Sequence, residues 1–157
     1  MRRSDREITD KDRVFKILEE AKILRIAYAD KDGLTMLPIT FTPVDENGEW
    51  VLIFHGATAG RKYEAWKGGH NVVFEAEAGV SPILSDNPPN NSWTFETVVG
   101  HGRIELVADP DKKRAYLEAL THAFNPSKSM HGLPPDLSWV ACYALHVTDW
   151  TAKERKA

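Results

Sequence analysis

Apolar positions along this chain change period several times, and each change marks an element. Thr9-Asp10-Lys11-Asp12 opens the first as a capping-box variant with Asp in its last place, and Val14, Ile17, Leu18 and Ala21 follow at helical spacing. That spacing predicts a helix with one face to bury. Ile23 to Ala29 is apolar with β-branched and aromatic members, and Asp30-Lys31-Asp32-Gly33 supplies turn chemistry before Thr35 to Thr42, so a β-hairpin is predicted. Pro38 sits mid-strand without an N–H for a ladder, which predicts an edge, a bulge or a ligand-facing segment. A second turn, Asp45-Glu46-Asn47-Gly48, introduces a third strand from Glu49 to His55.

Small residues then bend the chain into a short helix beginning at Gly60-Arg61-Lys62, with Thr58 as its expected N-cap and Lys67-Gly68-Gly69 as its stop. Tyr63 and Trp66 are its inward-packing residues. In the fourth strand, Asn71 to Ala78, Val72, Phe74 and Ala76 alternate with Val73, Glu75 and Glu77. Gly79 to Ser92 has no period and many turn formers, so a long loop, either a lid or disordered, is expected there. Trp93 to Val107 resumes β character, and Gly100 and Gly102 predict a bulge or bend where a long strand crosses a barrel. Asp109-Pro110 starts a helix striped by Tyr116, Leu120, Ala123 and Phe124 and ended by Asn125-Pro126. Trp139 to Thr148 is the last strand, and Ala152 to Ala157 reads as a charged tail.

Short antiparallel connections and too few helices for parallel crossovers indicate a mainly β fold. A small barrel with flanking helices is favoured over a sandwich, as a single domain over 1–157. The formal charge of -3, with Lys and Arg spread along the chain, argues against a nucleic-acid partner. No run approaches the ~20 apolar residues of a membrane span, and Met1-Arg2-Arg3-Ser4-Asp5 lacks the apolar segment of a signal peptide, so a cytoplasmic protein with no membrane partner is expected. The single cysteine, Cys142, is flanked by Val140, Ala141, Tyr143 and Leu145 and reads as core.

The candidate chemistry concentrates at Phe54 to Lys62. Free N–H groups at a helix start favour an anion, and Arg61 and Lys62 add charge-assisted donors, so the bend is a candidate phosphate site. A bend capped by Thr58 has the same residues without any ligand. His55, at the strand end beside this bend, is placed to touch a bound ring or substrate, or simply to be hydrogen-bonded there. The six histidines include no pair at the spacing of a helical or finger-type metal site, so no metal is expected. No serine occupies a nucleophile elbow, and Glu75 and Glu77 read as a solvated face.

With these residues placed, the order of motifs resembles the FMN-binding split-barrel family related to pyridoxamine 5'-phosphate oxidase, and within it the nitroimidazole-resistance branch. The likeness begins at Met1-Arg2-Arg3-Ser4-Asp5-Arg6-Glu7-Ile8 and includes the proline strand Leu37-Pro38-Ile39-Thr40-Phe41 and the segment Phe54 to Lys62. It continues through Val98-Val99-Gly100-His101-Gly102-Arg103 and Asp109 to Ala115. The resemblance implies a split β-barrel of about six to seven antiparallel strands, a homodimer, and FMN at the subunit interface. It further implies that Pro38, Ile39 and Thr40 border the isoalloxazine, that Arg61 and Lys62 hold the phosphate with help from Thr58, and that His55 lies near the flavin. The implied activity passes electrons from NAD(P)H through flavin to a small acceptor such as a nitroaromatic. Its alternative is a non-catalytic flavin or haem carrier. Glu96 departs from the branch, where basic residues are frequent at that position.

Overall fold

The computed structural model describes residues 4–157, so the Met1-Arg2-Arg3 start of the opening motif lies outside the described residues. In order come β1 (Glu7–Ile8), α1 (Lys11–Glu20), β2 (Ile23–Asp30), β3 (Gly33–Thr40), β4 (Thr42–Glu46), β5 (Glu49–Gly56), α2 (Arg61–Trp66), β6 (His70–Ile83), β7 (Ser92–Leu106), α3 (Pro110–Phe124) and β8 (Ala141–Arg155). Every pairing is antiparallel, seven strands run in the order β3-β2-β6-β7-β8-β5-β4, and the short β1 adds to β8. The fold is mainly β with flanking helices, as the pattern predicted, and is the split barrel that the resemblance implied. No helix among the described residues is long and apolar enough to cross a membrane.

The barrel interior is built by the inward residues of alternating strands: Leu24, Ile26 and Tyr28 of β2, Phe74 and Ala76 of β6, and Tyr143 and Leu145 of β8. α1 adds Val14, Ile17 and Leu18 to the same core; its N-cap is Asp10, which accepts the Arg13 N–H at 2.8 Å, rather than the expected Thr9 box. β5 is buried on both faces. Leu52 and Phe54 point into the barrel, while Val51 and Ile53 meet Tyr116, Leu117 and Leu120 of α3, which explains an apolar run without alternation.

Several boundaries differ from the pattern's prediction, each for a tertiary reason. The second strand breaks at Phe41, whose side chain turns into the core, and β4 begins at Thr42. The loop expected from Gly79 to Ser92 is shorter, confined to residues 84–91. β6 and β7 continue as a hairpin to Ile83 and from Ser92, joined across a register shift between Ala78 and Ser81. The supposed charged tail is the end of β8, where Ala152 is buried and the backbone pairs with β1 and β7. A long β7 does cross the barrel with an irregularity at His101/Gly102. A Cβ at Gly100 would collide with the Asp149 carbonyl and the Phe74 ring, so this crossing requires glycine. Pro38 lies, as expected, on an edge strand, β3.

Candidate functional site

β5 leaves the sheet at His55-Gly56, and the chain turns into α2 through Gly60, whose φ of 98° suits glycine alone at little cost. Gly60, not Thr58, is the N-cap, and no side chain caps this helix. Thr58 stands too far ahead of the first turn for its hydroxyl to reach the N–H groups that a cap serves. With six residues α2 has a weak macrodipole, so charge at this bend comes from side chains.

Arg61 and Lys62 diverge. Arg61 donates from Nε and Nη2 to the two carboxylate oxygens of Asp30, both at 2.8 Å, tying α2 to the β2–β3 turn. Its guanidinium holds the Asp30 carboxyl at about 2. Lys62 instead lies across Gly56. A Cβ there would sit 2.7 Å from Lys62 Nζ, and Nζ is 6.0 Å from the centre of the Tyr143 ring. Burial pushes the Lys62 ammonium pKa down, and no carboxylate among the described residues pairs with it. The Tyr143 hydroxyl and Trp66 Nε1 beneath it are buried without hydrogen-bond partners among the described residues, and burial raises Tyr143 to about 12.

His55 is on the outer face of β5, opposite Cys142 of β8, and its ring has no hydrogen-bond partner among the described residues. Burial, and secondarily the Lys62 charge, push its pKa below 6.5. Between the lowered folded value and 6.5 the unfolded chain binds the extra proton, so stability falls as pH drops through that window. Thermal midpoints measured from pH about 7 to about 5 are expected to fall less in His55→Asn than in the wild type. Parallel slopes would contradict the assignment.

Two cavities flank the bend. One of about 450 Å³ lies between Thr58 and Tyr63 on one side and Val107, Lys113, Asp136 and Ser138 on the other. The second, about 170 Å³, has His55 in its wall beneath α3. Ile39 packs against the barrel core, whereas Pro38 and Thr40 are exposed on β3, whose other edge pairs with no strand among the described residues. The structure therefore brings Lys62 to His55 and Arg61 to the turn end of β3. Pro38 to Thr40 stay toward the far end of that strand. Asp30, Gly56 and Tyr143 were not singled out by sequence. Asp30 reads as a turn residue, and nothing local links it to Arg61, 31 positions on.

Residues 10–154 match the family described as pyridoxamine 5'-phosphate oxidase. The chain belongs to that family. Among solved structures it is similar to the FAD and heme binding protein from Mycobacterium smegmatis, with TM-score 0.82 and 21% identity over 97% of this chain and 74% of that one. It is also similar to a candidate 5-nitroimidazole antibiotic resistance protein from Bacteroides thetaiotaomicron, with TM-score 0.78 and 21% identity over 94% and 86% of the two chains. A flavocytochrome from Azotobacter vinelandii aligns with TM-score 0.79 and 18% identity over 100% and 72%. At these identities the likeness shows the fold. No curated protein matches the chain. Within this pyridoxamine phosphate oxidase-like fold, the departing Glu96 has a structural partner: it accepts a hydrogen bond from Arg13 and fastens α1 to β7.

Proposed function

We propose that this chain is an FMN-dependent oxidoreductase of the nitroimidazole-resistance type, passing electrons from NAD(P)H to a small acceptor such as a nitroaromatic. The observation that carries this reading is Lys62, a half-buried ammonium without a carboxylate partner among the described residues, beside the β5–α2 bend. A cation removed from water is costly unless paired, and a phosphate monoester is the partner that this donor set suits. The Thr58 hydroxyl and Arg61 Nη1, which Asp30 does not engage, add donors on the same bend. Pro38, Ile39 and Thr40 would border the ring with backbone groups from the open edge of β3. Gly33 to Pro38 spans about 17 Å of strand, so a ligand reaching from the Arg61 end to Pro38 must be extended, as FMN is.

The flavin, when bound, supplies the two-electron chemistry. The chain anchors its phosphate and orients its ring. His55, uncharged near neutral pH, would act there as a hydrogen-bonding contact for the acceptor, and as a proton source only at lower pH. A homodimer fits the surface: Leu34 and Met36 on the outer face of β3 are 82% and 66% exposed. Met36 lies beside Ala27 and Ala27 beside Val73, a continuous apolar strip for a second copy to cover.

Gly56→Ala is a selective probe of the phosphate anchor. Its Cβ displaces only the flexible end of Lys62, so FMN affinity is expected to fall several-fold while the unfolding free energy changes by no more than about 0.5 kcal/mol. Fluorescence titration and denaturant unfolding measure the two. A second reading, a flavin or haem carrier without turnover, draws support from the haem-binding and flavocytochrome structures of the same fold. Steady-state NADPH oxidation with a nitroimidazole acceptor separates the two. The first reading predicts a rate above that of free FMN at equal concentration, and an equal rate leaves only the carrier.

A further inference from the structure

α3 does not close over the sheet along its whole length. Toward its C-terminal end a cavity of about 170 Å³ opens between the helix, the connection 125–140 and the end of β5. Leu117 and Leu120 of α3 form one wall, and Leu133, Trp139 and Val140 form the other. Thr121 also lines it, but its hydroxyl is committed to the Leu117 carbonyl at 2.8 Å. Glu118, on the same helix, accepts the Met130 N–H at 2.5 Å. The one uncommitted polar group in the wall is the His55 imidazole, which has no hydrogen-bond partner among the described residues. Apolar cavities of about 150 Å³ take up a single benzene ring, so this one has the volume for one ring with a small substituent. Trp139 and Phe124, 68% and 51% exposed, stand among its lining residues as aromatic surface for an incoming ring. The His55 ring N–H is a donor from which a carboxylate oxygen can accept, whereas an ammonium finds no anion in this wall.

We infer that this cavity binds a single-ring aromatic carboxylate, with the ring between Leu117, Leu120 and Trp139 and a carboxylate oxygen on the His55 N–H. The site is formed within one chain and does not rest on the flavin reading.

Fluorine NMR of 4-fluorobenzoate with the protein as purified tests it. The wild type broadens and shifts the ligand resonance with a Kd of about 1 mM. Thr121→Phe, which places a ring in the cavity, abolishes the effect, and His55→Leu weakens binding about tenfold. The benzylammonium analogue of the probe, 4-fluorobenzylamine, binds more weakly than 4-fluorobenzoate. Near-UV circular dichroism checks folding, and Thr121→Leu replaces the phenylalanine variant if that spectrum is lost. No broadening by the wild type at about 10 mM ligand overturns the site, as does binding unchanged in either the filled-cavity or the His55 variant.

Discussion

Lys62→Met is expected to weaken FMN binding by about 10- to 100-fold in a fluorescence titration, the loss of one or two charge-assisted hydrogen bonds to phosphate. The fold should not suffer. The ammonium is half-buried, its pKa is pushed down by that burial, and it has no carboxylate partner among the described residues, so a methionine of similar length relieves a desolvation penalty. Denaturant midpoints equal to or above the wild type are therefore expected alongside the lost affinity. Arg61→Ala should behave in the opposite way. It removes the tie to Asp30 that joins α2 to the β2–β3 turn, while its phosphate contribution is limited by the carboxylate it already serves. A larger affinity loss for Arg61→Ala than for Lys62→Met would shift the principal phosphate contact from Lys62 to Arg61.

Trp66→Ala carries the largest expected stability loss, about 3–5 kcal/mol by chemical denaturation. Trp66 is fully buried and is the only buried residue of α2. Its ring meets Tyr28, Phe54 and Tyr143 edge-on with centroids 5.1, 5.8 and 5.6 Å away. These contacts hold α2, and with it Lys62, against the barrel. Truncation opens a cavity in the aromatic cluster and loosens the bend, so stability and FMN affinity should fall together. Trp66→Phe should cost much less. It keeps an aromatic ring and removes an indole N–H that is buried without a partner among the described residues. A phenylalanine variant as damaged as the alanine one would assign Trp66 a polar role that the structure does not show.

The fold was legible in sequence wherever periodicity and turn chemistry act locally. Pro38 on an edge strand, the hairpin turns at Asp30 to Gly33 and Asp45 to Gly48, and the glycine-marked crossing of β7 all stand as predicted. Elements extended by tertiary pairing were not. Prolines and asparagines between Gly79 and Ser92 suppress strand propensity, yet the β6–β7 hairpin continues through part of them. The polar end of β8 is strand because β1 and β7 flank it. The candidate site shows the same division. Sequence located the bend and its two basic residues, but Arg61 turning to Asp30 and Lys62 lying across Gly56 are long-range outcomes with no local sign. His55 was marked by its position, while its place in the wall of a cavity under α3 depends on how the connection 125–140 packs.

FMN binding is decided by the absorbance spectrum of the protein as purified, followed by FMN titration. The expected result is a bound-flavin spectrum, or saturable quenching of FMN fluorescence at one flavin per chain that is weakened in Lys62→Met. A protein that purifies without flavin absorbance and leaves FMN fluorescence unchanged would contradict it.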